Sequence, residues 1–65
     1  MKIKRVCIYP KDIQCITGKS ERYSQKLFKK IKEHYGKNQD QFLTINEFCE
    51  YTSIDKPTVE SFIFD

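Results

Sequence analysis

Between Lys19 and Lys32 the chain carries six positive side chains, Lys19, Arg22, Lys26, Lys29, Lys30 and Lys32, against one carboxylate, Glu21. The chemistry such a stretch supports is anion binding. Ammonium and guanidinium groups neutralise phosphates and release condensed counterions, which yields affinity independent of base sequence. Two residues add reading capacity. The Arg22 fork matches the acceptor pair of guanine, and the Gln25 amide matches the donor–acceptor pair of adenine. Lys26 and Lys29 would then lie against a phosphate backbone, with Lys19 and Ser20 at the entry to the segment. Lys19, Ser20, Arg22, Gln25, Lys26 and Lys29 form the candidate contact set. The excess of Lys over Arg favours charge contact over fork recognition. The same residues would also suit the solvated face of a helix in a Lys-rich protein.

Other chemistries are poorly served. Cys7, Cys15 and Cys49 are odd in number and irregular in spacing, which is not a disulfide framework. Structural zinc sites bring ligands in closely spaced pairs, and no such pair occurs, so the thiols are expected to be buried or half-buried and free. The single histidine, His34, has no marked nucleophile beside it, and neither Gly18 nor Gly36 lies in a phosphate loop. The expectation is a protein that is not an enzyme, with no cofactor, no metal and no small-molecule substrate. No apolar run approaches the ~20 residues that span a bilayer. No signal-type stretch follows the charged start Met1-Lys2-Ile3-Lys4-Arg5. A cytoplasmic protein without membrane contact is therefore expected.

Four helical segments can position these side chains. Pro10 suits a first helical turn and Asp12 its positive end; the helix runs through Ile13 and Ile16 until Gly18 supplies a left-handed stop. Ser20 caps a second helix that continues to about Tyr35, before Gly36. At ~100° per residue, Tyr23, Ser24, Leu27, Phe28, Ile31 and Tyr35 fall within roughly 140°, the expected core face. Arg22, Gln25, Lys26, Lys29, Lys32 and Glu33 lie opposite, with Lys19 and Lys30 at the margins. After a polar loop over 36–41, Thr44-Ile45-Asn46-Glu47 is a capping box opening a third helix with Phe48 and Tyr51, ending near Ser53. A fourth begins around Pro57 and contains Val59, Phe62 and Ile63. The short apolar runs Val6-Cys7-Ile8 and Phe42-Leu43 could each be a brief strand, and the two could pair.

At 65 residues there is room for one domain, with a thin core that covers only about 60% of the surface exposed on unfolding. Within it the halves are alike in pattern and opposite in charge. An offset of 35 aligns Ile8 with Leu43, Asp12 with Glu47, Ile13 with Phe48, Ile16 with Tyr51, Thr17 with Thr52, Leu27 with Phe62 and Phe28 with Ile63. Residues 1–37 hold 11 Lys/Arg and 3 Asp/Glu, whereas 38–65 hold 1 Lys and 6 Asp/Glu, within a formal net charge of +3. A polyanion would be drawn to the first half and repelled by the second.

The segment 12–27, with its Thr17-Gly18-Lys19-Ser20 turn, resembles the helix-turn-helix of small phage- and transposon-type DNA-binding proteins. The segment from Leu43 through Ile63 resembles the helix-turn-helix of excisionase-like regulators. The first unit departs from the pattern at Gln14, where a small residue is usual, and at Ser24, where an aliphatic one is. The second replaces the turn glycine by Ser53, and its reading helix offers Thr58, Glu60 and Ser61 among acids. The fold implied is mainly α: two helix-turn-helix-like hairpins, four short helices, and a two-stranded β-ladder if the apolar runs pair. The function implied is a small DNA-binding regulator, transcriptional or excisionase-like, that sets helix 20–35 against duplex DNA. The alternative is a protein-interaction module using the acidic half with Phe62 and Phe64. A homodimer or protein partner through that half, and RNA binding through Tyr9, Tyr23 and Tyr35, are the remaining readings.

Overall fold

The computed structural model describes residues 6–63. Four helices follow in order: α1 (Pro10–Thr17), α2 (Glu21–His34), α3 (Ile45–Thr52) and α4 (Lys56–Glu60). The first three begin where local chemistry supplies partners for otherwise orphaned amides. The Asp12 carboxylate accepts the Tyr9 amide at 2.9 Å at the start of α1. Ser20 Oγ accepts the Tyr23 amide at 3.2 Å at the start of α2. At α3 the box closes reciprocally: the Glu47 amide donates to Thr44 Oγ1 at 3.1 Å, and the Thr44 amide donates to Glu47 Oε1 at 3.0 Å. At α4 the Thr58 hydroxyl lies 2.9 Å from the Asp55 carboxylate.

The joints within each half match closely. Gly18 (φ 70°) and Ser53 (φ 64°) both take the left-handed conformation, and their amides donate to Gln14 O at 2.9 Å and Cys49 O at 2.8 Å. One residue earlier, Thr17 Oγ1 donates to Ile13 O at 2.7 Å and Thr52 Oγ1 to Phe48 O at 2.8 Å. Packing follows the same pairing, α1 against α2 and α3 against α4. Equivalent core positions are filled equivalently: Ile8 with Leu43, Ile13 with Phe48, and Ser24 with Val59 are all buried. The last of these pairs a hydroxyl with an isopropyl group. Ser24 is tolerated because its Oγ donates to Ser20 O at 3.0 Å.

The halves share one core, formed by Ile8, Ile13, Ile31, Leu43, Ile45, Phe48 and Val59. They are joined where the two apolar runs meet. The Ile8 amide donates to Leu43 O at 2.9 Å and the Ile45 amide to Val6 O at 2.8 Å, around an antiparallel bridge between Cys7 and Thr44. This is one bridge, not a strand pair; no strand forms among the described residues. Pairing 7 with 44 sets 8 opposite 43. The offset of 35 maps that register onto itself, as a two-fold relation between halves requires. A second seam lies at the far end of α2. Tyr35 Oη is 3.2 Å from Glu47 O and 2.9 Å from Glu50 Oε1, the Lys37 ammonium pairs with Glu47 at 3.1 Å, and the His34 ring meets the Tyr35 and Tyr51 rings edge-on.

Three expectations about the helices are corrected. The fourth helix stops at Glu60, leaving Phe62 and Ile63 in a turn. Ser61 Oγ donates to Thr58 O at 2.6 Å and competes for the carbonyl that a continuing helix would offer Phe62, whose amide donates to Val59 O instead. Tyr23 does not join the core: it is 46% exposed. The core face of α2 is centred on Ser24 and Ile31, and Tyr23 projects about 90° from that centre. Lys32 leaves the basic side, donating to Gln39 O at 3.1 Å while its ammonium lies 5.4 Å from the centroid of the Phe28 ring. Phe64, Asp65 and the first five residues, with Lys2, Lys4 and Arg5, lie outside the described residues.

Candidate nucleic-acid interface

Every member of the candidate set, Lys19, Ser20, Arg22, Gln25, Lys26 and Lys29, is exposed, and all lie on α2 or the turn leading into it. The helix positions them through its buried side. With Ser24 and Ile31 at 0% exposure and Leu27, Phe28 and Tyr35 packed against the core, the opposite face must point to solvent. Arg22, Lys26, Lys29 and Lys30 occupy an arc of roughly 100° on that face, with Gln25 at one edge. Lys30, expected at a margin, is part of this ridge. Glu33 is exposed on the same side, one turn beyond Lys29.

What distinguishes the ridge is that its cations form no ion pair among the described residues, although Glu33 stands at its C-terminal end. The ion pair among the described residues joins Lys37 to Glu47, away from it. Arg22, Lys26, Lys29 and Lys30 have no carboxylate partner there, and the Lys19 ammonium lies over the Tyr23 ring, 5.8 Å from its centroid. Such a face holds its positive potential toward solvent instead of spending it within the fold. Ser20 has a narrower role than a free hydroxyl. Its Oγ accepts the Tyr23 amide and caps α2, leaving the hydroxyl proton to donate outward.

The acidic half is organised differently. Glu47 is committed to Thr44 and Lys37, Glu50 to the Tyr35 hydroxyl, and Asp55 to Thr58. Burial pushes the Glu47 carboxyl upward, but the Thr44 amide and hydroxyl and the Lys37 ammonium together hold it below its ordinary value. Burial pushes the Tyr35 hydroxyl up, and the adjoining Glu50 and Glu47 charges push the same way. Glu47 caps α3, and Glu47 and Glu50 tie α3 to the end of α2 and the residues after it. At positions equivalent to Arg22, Gln25 and Lys26, the second half places Pro57, Glu60 and Ser61.

The thiols do not form a site. Cys7 and Cys49 are half-buried, Cys15 is exposed on α1, and burial pushes the Cys49 thiol up. The exposure of Cys15 departs from the expected burial, because it lies on the side of α1 away from Ile13. No grouping of His, Cys, Asp and Glu suited to a metal ion occurs among the described residues, and none of their helices is long and apolar enough to cross a membrane. Compared with known proteins, the chain matches no family model, no curated protein and no solved structure.

Proposed function

We propose that the chain is a small duplex-DNA-binding regulator of the helix-turn-helix kind, and that α2 is the helix it sets in the major groove. The observation that supports this reading is the α2 ridge: four exposed cations, Arg22, Lys26, Lys29 and Lys30, with no carboxylate partner among the described residues. In helix-turn-helix proteins the second helix meets the base edges, mainly through its N-terminal residues, while the first crosses the backbone. Here α1 and α2 are joined by the left-handed Gly18 and the Ser20 cap, and α2 carries Arg22 and Gln25 in its first two turns. Lys26, Lys29 and Lys30 then supply phosphate contacts, and Lys19 flanks the helix start.

The second half serves in this reading as a platform. Three of its carboxylates, Glu47, Glu50 and Asp55, are engaged within the fold, and its fourth helix is five residues long. The longest extent of the described chain is 33 Å, whereas successive major grooves on one face of duplex DNA lie ~34 Å apart. The centres of α2 and α4 are closer than that, so one chain presents one reading helix. Recognition of a two-part site then takes a second chain.

Binding to duplex DNA across a salt series tests the proposal, with wild type compared against Lys26→Glu/Lys29→Glu. Wild-type affinity should fall steeply with salt. Reversing two phosphate contacts should weaken binding and lower the slope of log K against log salt by about 2. An unchanged affinity and slope would sink the assignment. Single-stranded RNA of equal length, run in parallel, separates the RNA reading.

A further inference from the structure

One aromatic ring stands within the basic surface. The α2 pattern places Tyr23 beside Ser24 on the core side, yet Ser24 is 0% exposed and Tyr23 is 46% exposed. The other aromatics of this helix and its end are committed: the Phe28 ring is half-buried beneath Lys32, and the Tyr35 hydroxyl meets Glu47 and Glu50. Tyr23 has no comparable anchor. Its hydroxyl has no hydrogen-bond partner among the described residues, and its one ring contact is the Lys19 ammonium at 5.8 Å.

Toward the core its neighbour on the helix is Leu27, and toward solvent its neighbours are basic. Tyr23, Lys26 and Lys30 fall within roughly 60° on α2, and Lys19 closes the row from the turn. At 46% exposure the Tyr23 ring leaves apolar surface in contact with water. Set among cations in the first turn of a reading helix, it supplies what lysines lack, an apolar surface. In the major groove the apolar feature of a base pair is the thymine 5-methyl group, which side chains meet by van der Waals contact.

We propose that Tyr23 is a specificity-determining residue that packs its ring on a thymine methyl group in the major groove, while Lys19, Lys26 and Lys30 hold the flanking phosphates. The inference rests on the duplex-DNA reading of α2. It predicts that preferred sites carry a thymine at one fixed position relative to the contacts of Arg22 and Gln25. The contact involves the ring, so the hydroxyl is dispensable.

The test begins with selection of preferred duplexes from a randomised pool by the wild-type chain. Each thymine in the selected site is then replaced singly by uracil, which removes only the methyl group. One such replacement should weaken wild-type binding on the order of fivefold. Tyr23→Phe should keep both the thymine preference and the uracil sensitivity. Tyr23→Ala, with its helicity checked by circular dichroism, should lose both while retaining the salt slope of wild type. If wild type binds duplex DNA but no thymine-to-uracil change matters, or if Tyr23→Ala selects the same site with the same sensitivity, Tyr23 does not read the methyl group. If wild type binds no duplex at all, the DNA reading itself fails and takes this inference with it.

Discussion

Positions 18 and 53 meet one backbone demand with different residues. Both turn at positive φ, 70° at Gly18 and 64° at Ser53, and only glycine does so without a side-chain penalty. A Cβ at Gly18 would meet no atom within 4 Å, so the cost of substitution there is conformational and not a clash. Gly18→Ala should therefore destabilise the fold by about 1 kcal/mol, and Ser53→Gly should stabilise it by up to about that amount. In a chain of this size each kcal/mol moves the thermal midpoint by roughly 4–8 °C. Opposite shifts for the two variants in thermal unfolding followed by circular dichroism are the expected result. The glycine signal at 18 was legible because the residue type itself marks the conformation. At 53 the stop was legible only from the end of the helical pattern, since serine does not mark a left-handed turn. The exposure of Tyr23 was not legible, because periodicity assigns a residue to an arc but not to its buried or open edge.

Among the elements, α3 was the most readable and α4 the least. Thr44 and Glu47 announce a helix start through a reciprocal hydrogen-bond pair that needs no tertiary partner. The end of α4 depends on Ser61 competing for Thr58 O, a side-chain choice that an apolar pattern running on to Phe62 and Ile63 conceals. The α3 cap also carries a pH dependence. The Glu47 carboxyl lies below its ordinary value, so the folded state binds this proton less readily than the unfolded chain does. The stability it contributes is fully present above its unfolded pKa of about 4.3 and is lost as pH falls through the lower folded value. Thermal midpoints should decline with acidification in that range, and Glu47→Gln should start from a lower midpoint and decline less. An equal decline in both would assign the acid sensitivity to other carboxylates.

For the whole molecule, the core is small enough that one side chain can decide folding. Phe48 is fully buried and is the largest of the seven apolar residues that form it. Truncation to alanine typically costs about 3–5 kcal/mol. Total stability for a chain of this length is on the order of 3–10 kcal/mol. Phe48→Ala should leave a large unfolded fraction at 25 °C, seen as a broad, early loss of helicity in urea. The division of charge between halves was legible at this scale from composition alone. What composition could not show is that Glu47, Glu50 and Asp55 have partners within the fold while Arg22, Lys26, Lys29 and Lys30 have no carboxylate partner among the described residues. For Glu50 and the Lys37–Glu47 pair the contrast depends on contacts between residues ten or more apart in the chain.

The meeting of Val6-Cys7-Ile8 with Phe42-Leu43-Thr44 has a further meaning. A contact whose register is unchanged when the halves exchange places has the geometry of a two-fold interface, here held within one chain. Two separate halves would have to find each other, and their stability would depend on concentration. Joined by residues 36–41, they meet at an effective concentration in the millimolar range. Within one chain the two halves need not resemble each other at the surface. The equivalences at 8 and 43 and at 13 and 48 lie in the core, and that at 18 and 53 is a left-handed turn. At the surface the two halves instead carry opposite net charge.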